Sequence, residues 1–294
     1  MKTVESISRM STLVKMLKKE AKSIGFVPTM GYLHEGHMSL VNAAKKHTDV
    51  VVMSIFVNPI QFGPKEDFEK YPRDLKRDEE TARAAGVDIL FYPSVKDMYP
   101  EGYATYVDVK GLSEVLCGAS RPGHFRGVAT VVAKLFGIVK PTIAYFGQKD
   151  AQQAIIIKKM VEDLNMDVEV KAMPVVREKD GLAKSSRNIH LSEGERRDAS
   201  ILYQALQKAE SLIKQGERDS KKIVKTMEEM IGQKPTAKIG YISITDAKSL
   251  KGLNAVSSEA LIALAVYIGK TRLIDNVIAK AGDDGKPRQE RLKI

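Results

Sequence analysis

Short apolar runs alternate with helical patterns over the first two-thirds of the chain. The apolar runs are nearly continuous, which is typical of strands that are covered on both faces. Residues 36–47 show the helical pattern, with Met38, Val41 and Ala44 on one face. Strands that alternate with helices predict a parallel, doubly wound α/β sheet. The strand-like runs are residues 23–28, 49–59, 87–93, 142–147 and 166–178.

A polar stretch at residues 178–198 interrupts this alternation. Within it, Ser192 and Glu195 have the spacing of a capping box and predict the start of a helix. Amphipathic helices at about 193–215 and 220–231 follow, and then three strand-like runs, an order typical of an α+β unit. The predicted division is a first domain at 1–179, a smaller α+β C-terminal domain at 180–281 and a disordered tail at 282–294.

The composition of the 294 residues, 43% hydrophobic and 29% charged, is that of a soluble globular protein. The apolar runs are shorter than the ~18 residues of a membrane span, and the N-terminus lacks the apolar core of a signal peptide. Cys117 is the single cysteine, so an internal disulfide is impossible. We therefore predict a cytoplasmic protein with no membrane partner.

The chain carries 47 lysines and arginines against 37 acidic residues, a net charge of +10. Such an excess suits either nucleic acid or small anions. Much of it lies in a helix at 221–230 and in the tail at 285–294, where basic residues are ordinary solvated surface. A basic stripe interleaved with aromatic residues is missing, so we predict small anionic ligands and no nucleic-acid partner.

His34 and His37 stand where a predicted strand ends and a helix begins. In a parallel sheet this is where ligands bind, and the N–H groups of the helix start suit a phosphate. Gly31 and Gly36 allow a ligand to approach the backbone closely. The two imidazoles, one turn apart, would donate hydrogen bonds to charge that develops on a phosphoryl group.

Two other interpretations of this histidine pair compete with phosphate binding. Both residues could be ordinary surface histidines. A zinc site normally places histidines at i and i+4 with a glutamate between them, whereas the spacing here is i, i+3. A cysteine or carboxylate cluster to complete zinc coordination is also missing. The sequence therefore predicts no metal site on the protein itself.

Two further polar segments have the chemistry of an ATP site. In residues 146–153, Gly147 suits a tight turn, Lys149 offers a charge for phosphate, and Asp150 would cap a helix or bind a ribose hydroxyl. In residues 183–188, two hydroxyls, an ammonium and a guanidinium suit the β- and γ-phosphates. A plain turn and a solvated linker are the respective alternatives.

The string HEGH resembles the H-x-G-H signature of Rossmann-like nucleotidylyltransferases, a superfamily that includes class I aminoacyl-tRNA synthetases. Longer strings resemble the pantothenate synthetases, which are pantoate–β-alanine ligases. They agree in order and cover most of residues 23–190, a far more specific signal than H-x-G-H alone. The strings are residues 26–41, 54–73, 121–136, 144–153 and 184–188.

The resemblance implies a Rossmann-like first domain and a two-step reaction. ATP and (R)-pantoate would give pantoyl adenylate and pyrophosphate, and the amine of β-alanine would then displace AMP to give pantothenate, a coenzyme A precursor. It also implies ATP as a substrate, Mg²⁺ as a cofactor and a homodimer. A second domain that closes over the site through residues 184–187 would shield the adenylate from water.

Site residues are carried over from the matching motifs. The implied catalytic residues are His34, His37 and Lys149. The implied ATP-binding residues are Met30, Gly31, Tyr32, Leu33, His34, Glu35, Gly36, His37, Gly147, Gln148, Lys149, Asp150, Val176, Lys184, Ser185, Ser186 and Arg187. Relatives often carry methionine at the position of Lys184, so its side chain would either add charge to the site or point to solvent.

Gln61 and Gln153 match the family's pantoate-binding glutamines, and Gln61 also matches a contact to β-alanine. An amide recognises hydroxyls and a carboxylate without cancelling the charge of the attacking carboxylate. Weaker candidates for this pocket are Asn58, Arg121 and His124. Asp78 matches a position near Mg²⁺ in relatives, and a solvated helix face is its alternative.

Two other functions remain open from the residues alone. A nucleotidylyltransferase that moves AMP onto a phosphate would share H-x-G-H but would leave the string at 59–73 unexplained. A basic nucleic-acid-binding protein would bind generic oligonucleotides with a strong dependence on salt. Selective use of ATP distinguishes the ligase from both.

Overall fold

Six strands form a parallel sheet in the order β1-β4-β3-β2-β5-β6. The computed structural model describes residues 1–64, 66 and 68–281. The predicted tail at 282–294 lies outside the described residues. The strands of this sheet are β1 Lys2–Val4, β2 Ile24–Thr29, β3 Val50–Ile55, β4 Ile89–Phe91, β5 Ile143–Gly147 and β6 Glu169–Met173. The predicted parallel, doubly wound fold is confirmed.

The helices that connect these strands alternate with them along the chain. They are α1 Ile7–Lys19, α2 Glu35–His47, α3 Leu75–Ala85, α4 Val95–Met98, α5 Cys117–Ser120, α6 His124–Val139 and α7 Ala151–Asp163. Short 3₁₀ helices lie at Pro59–Gln61, Gln148–Asp150 and Ser186–His190. Every strand pair in the sheet is parallel, as crossover helices require.

The order of the strands reverses between β2 and β5. The chain moves outward from β2 through β3 to β4, and then returns to the other side of β2 to form β5 and β6. At such a reversal the two crossover connections leave in opposite directions, which opens a crevice at the carboxyl ends of the strands. The topology therefore places a ligand site just beyond Thr29 and Gly147.

Alternating side chains of the sheet fill a core on each face. Val27 packs with Leu40 and Val41 of α2 on one face. Its neighbour Phe26 points to the opposite face and meets the ring of Phe136 on α6 edge-on, with 6.4 Å between the centroids. Burial on both faces explains why the central strands are apolar runs without polar alternation.

The first compact unit is Met1–Leu191, so the observed division falls later than the predicted one at 179/180. Backbone hydrogen bonds explain the difference. The N–H of Glu178 donates to the carbonyl of Leu182 at 2.8 Å, and the N–H of Lys184 donates to Val176 at 2.9 Å. The polar stretch thus folds back on the end of the first unit, and the 184–187 loop belongs to that unit.

The second unit begins at Ser192 and has an antiparallel sheet in the order β7-β8-β9. Its elements are α8 Glu193–Ala199, α9 Ile201–Lys214, α10 Ser220–Gly232, β7 Ala237–Asp246, β8 Glu259–Ile268 and β9 Thr271–Lys280. The capping box of Ser192 and Glu195 is present. The helix predicted at 193–215 is interrupted at Ser200, which separates α8 from α9. Across the described residues, we find no helix of the length and hydropathy needed to cross a membrane.

Candidate active site

A cavity lies at the carboxyl ends of β2 and β5, at the reversal of strand order. The ends of both strands contribute to it, through Thr29 and Met30 on one side and Phe146 and Gly147 on the other. Besides Thr29 and Tyr71, its polar lining residues are His34, His37, Gln61, Lys149, Asp150, Gln153, Lys184, Ser185, Ser186 and Arg187. The structure thus brings together the predicted histidine, lysine, glutamine and serine–arginine segments.

The two histidines cap the helix that carries them. His34 is the N-cap of α2, and its Nδ1 accepts a hydrogen bond from the N–H of Gly36 at 3.1 Å. Nδ1 of His37 accepts the N–H of His34 at 3.2 Å, which closes a reciprocal capping box. The ring centroids are 4.1 Å apart. The imidazoles therefore accept hydrogen bonds from two backbone N–H groups at the helix start, where the sequence predicts phosphate binding.

These bonds fix the tautomer of both rings. A nitrogen that accepts a backbone N–H carries no proton, so the proton of each neutral ring is on Nε2. Burial, with the charge of Lys149 adding to it, lowers the pKa of His34 to about 4. Burial also lowers the pKa of His37 well below its usual value. Near neutral pH both side chains are uncharged Nε2–H donors.

Gly36 is required by this packing. A Cβ at this position would lie 2.8 Å from Cε1 and 2.9 Å from Nδ1 of the His34 ring. Such a contact is closer than side chains tolerate, so the ring of His34 would leave the helix start. The glycine of HEGH therefore makes room for an imidazole, in addition to the predicted approach of a ligand.

Gln61 is buried, and hydrogen bonds through Asn58 fix the orientation of its amide. The amide nitrogen of Asn58 donates to the carbonyl of Gly127 at 3.0 Å and to Oε1 of Gln61 at 3.0 Å. The hydroxyl of Tyr99 donates to Oδ1 of Asn58 at 2.8 Å. Because a backbone carbonyl only accepts, the Asn58 amide has one orientation, and Gln61 must present its NH₂ group towards Met30, at 3.0 Å from Sδ.

The three weaker candidates for the substrate pocket lie outside the cavity lining. Asn58, Arg121 and His124 are not among the described residues that line the cavity. Nδ1 of His124 lies 2.8 Å from the carbonyl of Gln61, and burial lowers the pKa of His124 to about 4. Arg121 forms a two-point ion pair with Glu66. The sequence analysis assigns no role to Tyr99, which lies outside the matching strings, or to Glu66, which lies within the string at 54–73.

Adjacent glutamines on α7 have different surroundings. Gln153 lines the cavity, as predicted. Gln152 is buried, accepts the N–H of Cys117 at 3.0 Å and donates to the carbonyls of Leu112 and Val115 at 2.9 and 2.8 Å. Gln152 thus fixes the loop before α5, which no sequence pattern had indicated.

Two details of the segment at 146–153 differ from the sequence interpretation. Gly147 has an extended backbone, and a Cβ there would meet no atom within 4 Å, so it forms no tight turn. Asp150 precedes α7 but its side chain makes no capping hydrogen bond. Its carboxylate lies 3.8 Å from Nζ of Lys149 instead. Both side chains are left at the cavity wall.

The 184–187 loop lines the cavity, and Lys184 is held by acidic partners. Its Nζ lies 3.4 Å from Glu35 and 3.7 Å from Glu178. Lys184 therefore does not extend into solvent; its side chain joins the start of α2 to the end of the polar stretch. The side chain of Ser185 accepts the N–H of Arg187 and so orients the loop.

Five predicted ATP residues lie beside the cavity and not in its described lining: Gly31, Tyr32, Leu33, Glu35 and Gln148. Leu33 is buried in the core, and Glu35 is largely exposed at its pair with Lys184. Asp78 is not on a solvated helix face. It is 1% exposed, and both of its oxygens accept backbone N–H groups. The described residues include no group of three or more side chains suited to a metal ion.

A doubly wound parallel sheet with paired histidines, cations and amides at its reversal point defines a nucleotide-binding α/β protein. The chain belongs to the pantoate–β-alanine ligase family, whose sequence profile matches residues 2–278. It is 57% identical to pantothenate synthetase of Caldicellulosiruptor bescii, over 96% of this chain and 100% of that one. It is 58% identical to that of Acetivibrio thermocellus, over 95% and 100%.

Solved structures agree with this assignment. The crystal structure of pantothenate synthetase from Thermus thermophilus matches with a TM-score of 0.90 and 45% identity, over 94% of this chain and 99% of that one. Pantoate–β-alanine ligase from Francisella tularensis, solved with β,γ-ATP and β-alanine, matches with a TM-score of 0.79 and 38% identity, over 95% and 97%.

Proposed function

We propose that this chain condenses pantoate with β-alanine at the cavity beyond β2 and β5, with ATP converted to AMP and pyrophosphate. The carboxylate of pantoate attacks the α-phosphorus of ATP, and pyrophosphate leaves with the electrons of the broken P–O bond. The amine of β-alanine then attacks the acyl carbon, AMP leaves, and the nitrogen loses a proton. The observation that carries this proposal is the convergence on one cavity of two glutamines and the three segments predicted to bind phosphate.

His34 and His37 supply uncharged donors for the phosphate oxygens. Each Nδ1 is used for capping, so each Nε2–H remains to stabilise charge on the phosphoryl group in transfer. Lys149 and Arg187 supply the positive charge at the same cavity. Because the enzyme mainly positions substrates and stabilises charge, a serine or cysteine nucleophile is not needed. The other family ATP residues that line the same cavity are Met30, Gly36, Gly147, Asp150, Val176, Lys184, Ser185 and Ser186.

Gln61 and Gln153 place pantoate. The hydrogen-bond network at Gln61 supports this role, because it turns the NH₂ group of the amide towards Met30, which also lines the cavity. That group donates to pantoate oxygens without quenching the attacking carboxylate. The same amide is then within reach of β-alanine in the second step.

Mg²⁺ would enter with ATP. The ion is usually held by phosphates and water with one or two carboxylates from the protein. Asp150 is the only carboxylate among the described residues that line the cavity, and its side chain is 47% exposed. Asp150 is therefore the side chain suited to the ion, which would neutralise charge on the triphosphate.

The family resemblance also supports a homodimer in the cytoplasm. Light scattering on the purified chain is expected to give the mass of two copies. The mass of a single chain across the working concentration range would contradict the dimer.

Isotope exchange tests the first half-reaction. Labelled pyrophosphate is expected to enter ATP when enzyme, Mg²⁺, ATP and pantoate are present and β-alanine is absent. A phosphate-adenylylating enzyme would show no dependence on pantoate. Exchange that requires β-alanine would replace the adenylate mechanism with a concerted one.

His37→Gln is the matched variant for this assay. Glutamine at the third helical position retains a capping acceptor but has no imidazole. Its exchange rate is expected to fall by ~10²–10³ while its melting temperature stays near that of the wild type. Full activity in the folded variant would remove His37 from the mechanism.

A further inference from the structure

The turn that precedes the two histidines has an unusual backbone. Between the end of β2 and the start of α2, Gly31 has φ +86° and Tyr32 has φ +50°. A left-handed conformation is uncommon for a bulky residue such as tyrosine, and it persists only where the surroundings hold it. The position of His34 and His37 depends on this turn, because it sets where α2 begins.

Asp78 on α3 holds the turn through both of its oxygens. Oδ2 accepts the N–H of Tyr32 and Oδ1 accepts the N–H of Leu33, each at 2.7 Å. Charge-assisted bonds of this length are strong, and the carboxylate is only 1% exposed. A Cβ on Gly31 would lie 2.9 Å from Oδ2, so the turn and the carboxylate are in direct contact.

Arg77, the residue before Asp78 on α3, binds a carbonyl group of the same turn. The guanidinium of Arg77 donates to the carbonyl of Leu33 at 3.1 Å. It also lies over the ring of Tyr32, with 4.6 Å from Cζ to the ring centroid. Two adjacent side chains of one helix thus bind the N–H groups, a carbonyl and the aromatic ring of residues 32–33.

We propose that Asp78 is a positioning residue for adenylyl transfer, which holds the left-handed turn and thereby the two histidines, with Arg77 as its auxiliary. The inference rests on the proposed function of His34 and His37. It assigns Asp78 no contact with substrate or Mg²⁺, since the residue is 1% exposed, both of its oxygens accept backbone N–H groups, and it is not among the described residues that line the cavity. A shift of the histidines by about 1 Å costs of the order of 10² in rate.

Asp78→Asn tests this assignment against Asp74→Asn. Both variants remove one negative charge from α3, but Asp74 is the exposed N-cap of the helix, where asparagine caps equally well. Asp78→Asn is expected to lower kcat of the exchange reaction by about 10²-fold and to leave KM for pantoate near its wild-type value. Asp74→Asn is expected to keep the wild-type kcat.

Nuclear magnetic resonance gives a readout that does not depend on activity. Asp78→Asn is expected to shift the backbone amide signals of Tyr32 and Leu33 and the imidazole ¹⁵N signals of His34 and His37. Unchanged imidazole signals in Asp78→Asn would overturn the inference. Full activity of His37→Gln would instead overturn the proposed function, while the spectral result for Asp78 would stand.

A Mg²⁺ titration separates positioning from metal binding. If excess Mg²⁺ restores kcat of Asp78→Asn, Asp78 acts on the metal and the inference is wrong.

Should Asp78→Asn fail to fold, Arg77→Gln at the partly exposed neighbour carries the test, with Arg83→Gln in the last turn of α3 as control. Arg77→Gln is expected to shift the same imidazole signals and lower kcat by a smaller factor. A wild-type spectrum and kcat in Arg77→Gln would overturn the inference.

Discussion

The two ring nitrogens of His34 and His37 have different surroundings. Nδ1 satisfies a backbone N–H at the start of α2, and Nε2 is left with the proton. The capping bond holds each ring in the tautomer that donates from Nε2, which is the tautomer that the proposed role in phosphoryl transfer requires. Replacing either histidine with a cation would change both the capping and the charge of the site.

The lowered pKa of His34 predicts a dependence of stability on pH. Its folded value of about 4 lies below the unfolded value of 6.5, so the unfolded chain binds more protons between these pH values. The stabilisation is complete above about pH 6.5 and is lost as the pH falls towards 4. The free energy of unfolding, measured in urea, is therefore expected to decrease over this interval.

The variant His34→Asn isolates this contribution. Asparagine keeps an N-cap acceptor but does not titrate, so its decrease in stability from about pH 6.5 to about pH 4 is expected to be smaller than in the wild type. His47→Asn, at the exposed end of the same helix, controls for the loss of a histidine as such. Equal pH profiles for the wild type and His34→Asn would contradict the prediction.

Among the elements, α6 and the 3₁₀ helix Pro59–Gln61 pack with their backbones in direct contact at Gly127. A Cβ on Gly127 would clash with the carbonyl oxygen of Ile60 and would lie 2.6 Å from Cα of Gln61. The glycine therefore brings two backbones together, and the bond from Asn58 to the Gly127 carbonyl adds to the contact. Through this packing, a buried helix determines the position of Gln61, the residue proposed to bind pantoate.

Gly127→Ala is expected to displace Gln61 and raise KM for pantoate by roughly tenfold, the equivalent of about one buried hydrogen bond. Overpacking is also expected to destabilise the protein by about 1–3 kcal/mol. Gly137→Ala on the same helix is the control, since a Cβ there meets no atom within 4 Å. It is expected to stabilise the protein by up to about 1 kcal/mol. Equal KM values in the two variants would contradict the proposed coupling.

At the scale of the whole molecule, the net charge of +10 attracts polyanions without selecting among them. Selection comes from the cavity, where Lys149 and Arg187 lie with neutral histidines and amides. These uncharged donors select a ligand by the geometry of its hydrogen bonds. The surface lysines instead attract anions through an electric field, which salt screens.

Competition between ATP and an oligonucleotide checks this distinction. At about 150 mM salt, a single-stranded oligonucleotide is expected to leave pantoate-dependent exchange unchanged. Any binding of the oligonucleotide at low salt is expected to weaken steeply as salt rises, since it depends on counterion release. Inhibition of exchange at about 150 mM salt, competitive with ATP, would support the nucleic-acid alternative.

The layout of the fold and most of the polar cavity lining follow from the amino-acid sequence. Apolar runs that alternate with amphipathic helices specify a parallel sheet, because strands covered on both faces need apolar residues throughout. Local motifs indicated the histidine pair, Lys149 and the 184–187 loop, since helix starts and loops carry their chemistry in neighbouring residues. The capping box of Ser192 and Glu195 was likewise readable, because its partners are three residues apart.

Features that depend on residues distant in sequence are visible in the folded chain alone. Asp78 meets the histidine turn across more than forty positions of sequence, and Tyr99 reaches Asn58 over a similar separation. The division after Leu191 also depends on backbone bonds that no periodicity encodes. Such contacts exist only once the sheet has placed its connections side by side, since hydrogen-bond partners far apart in sequence leave no local pattern.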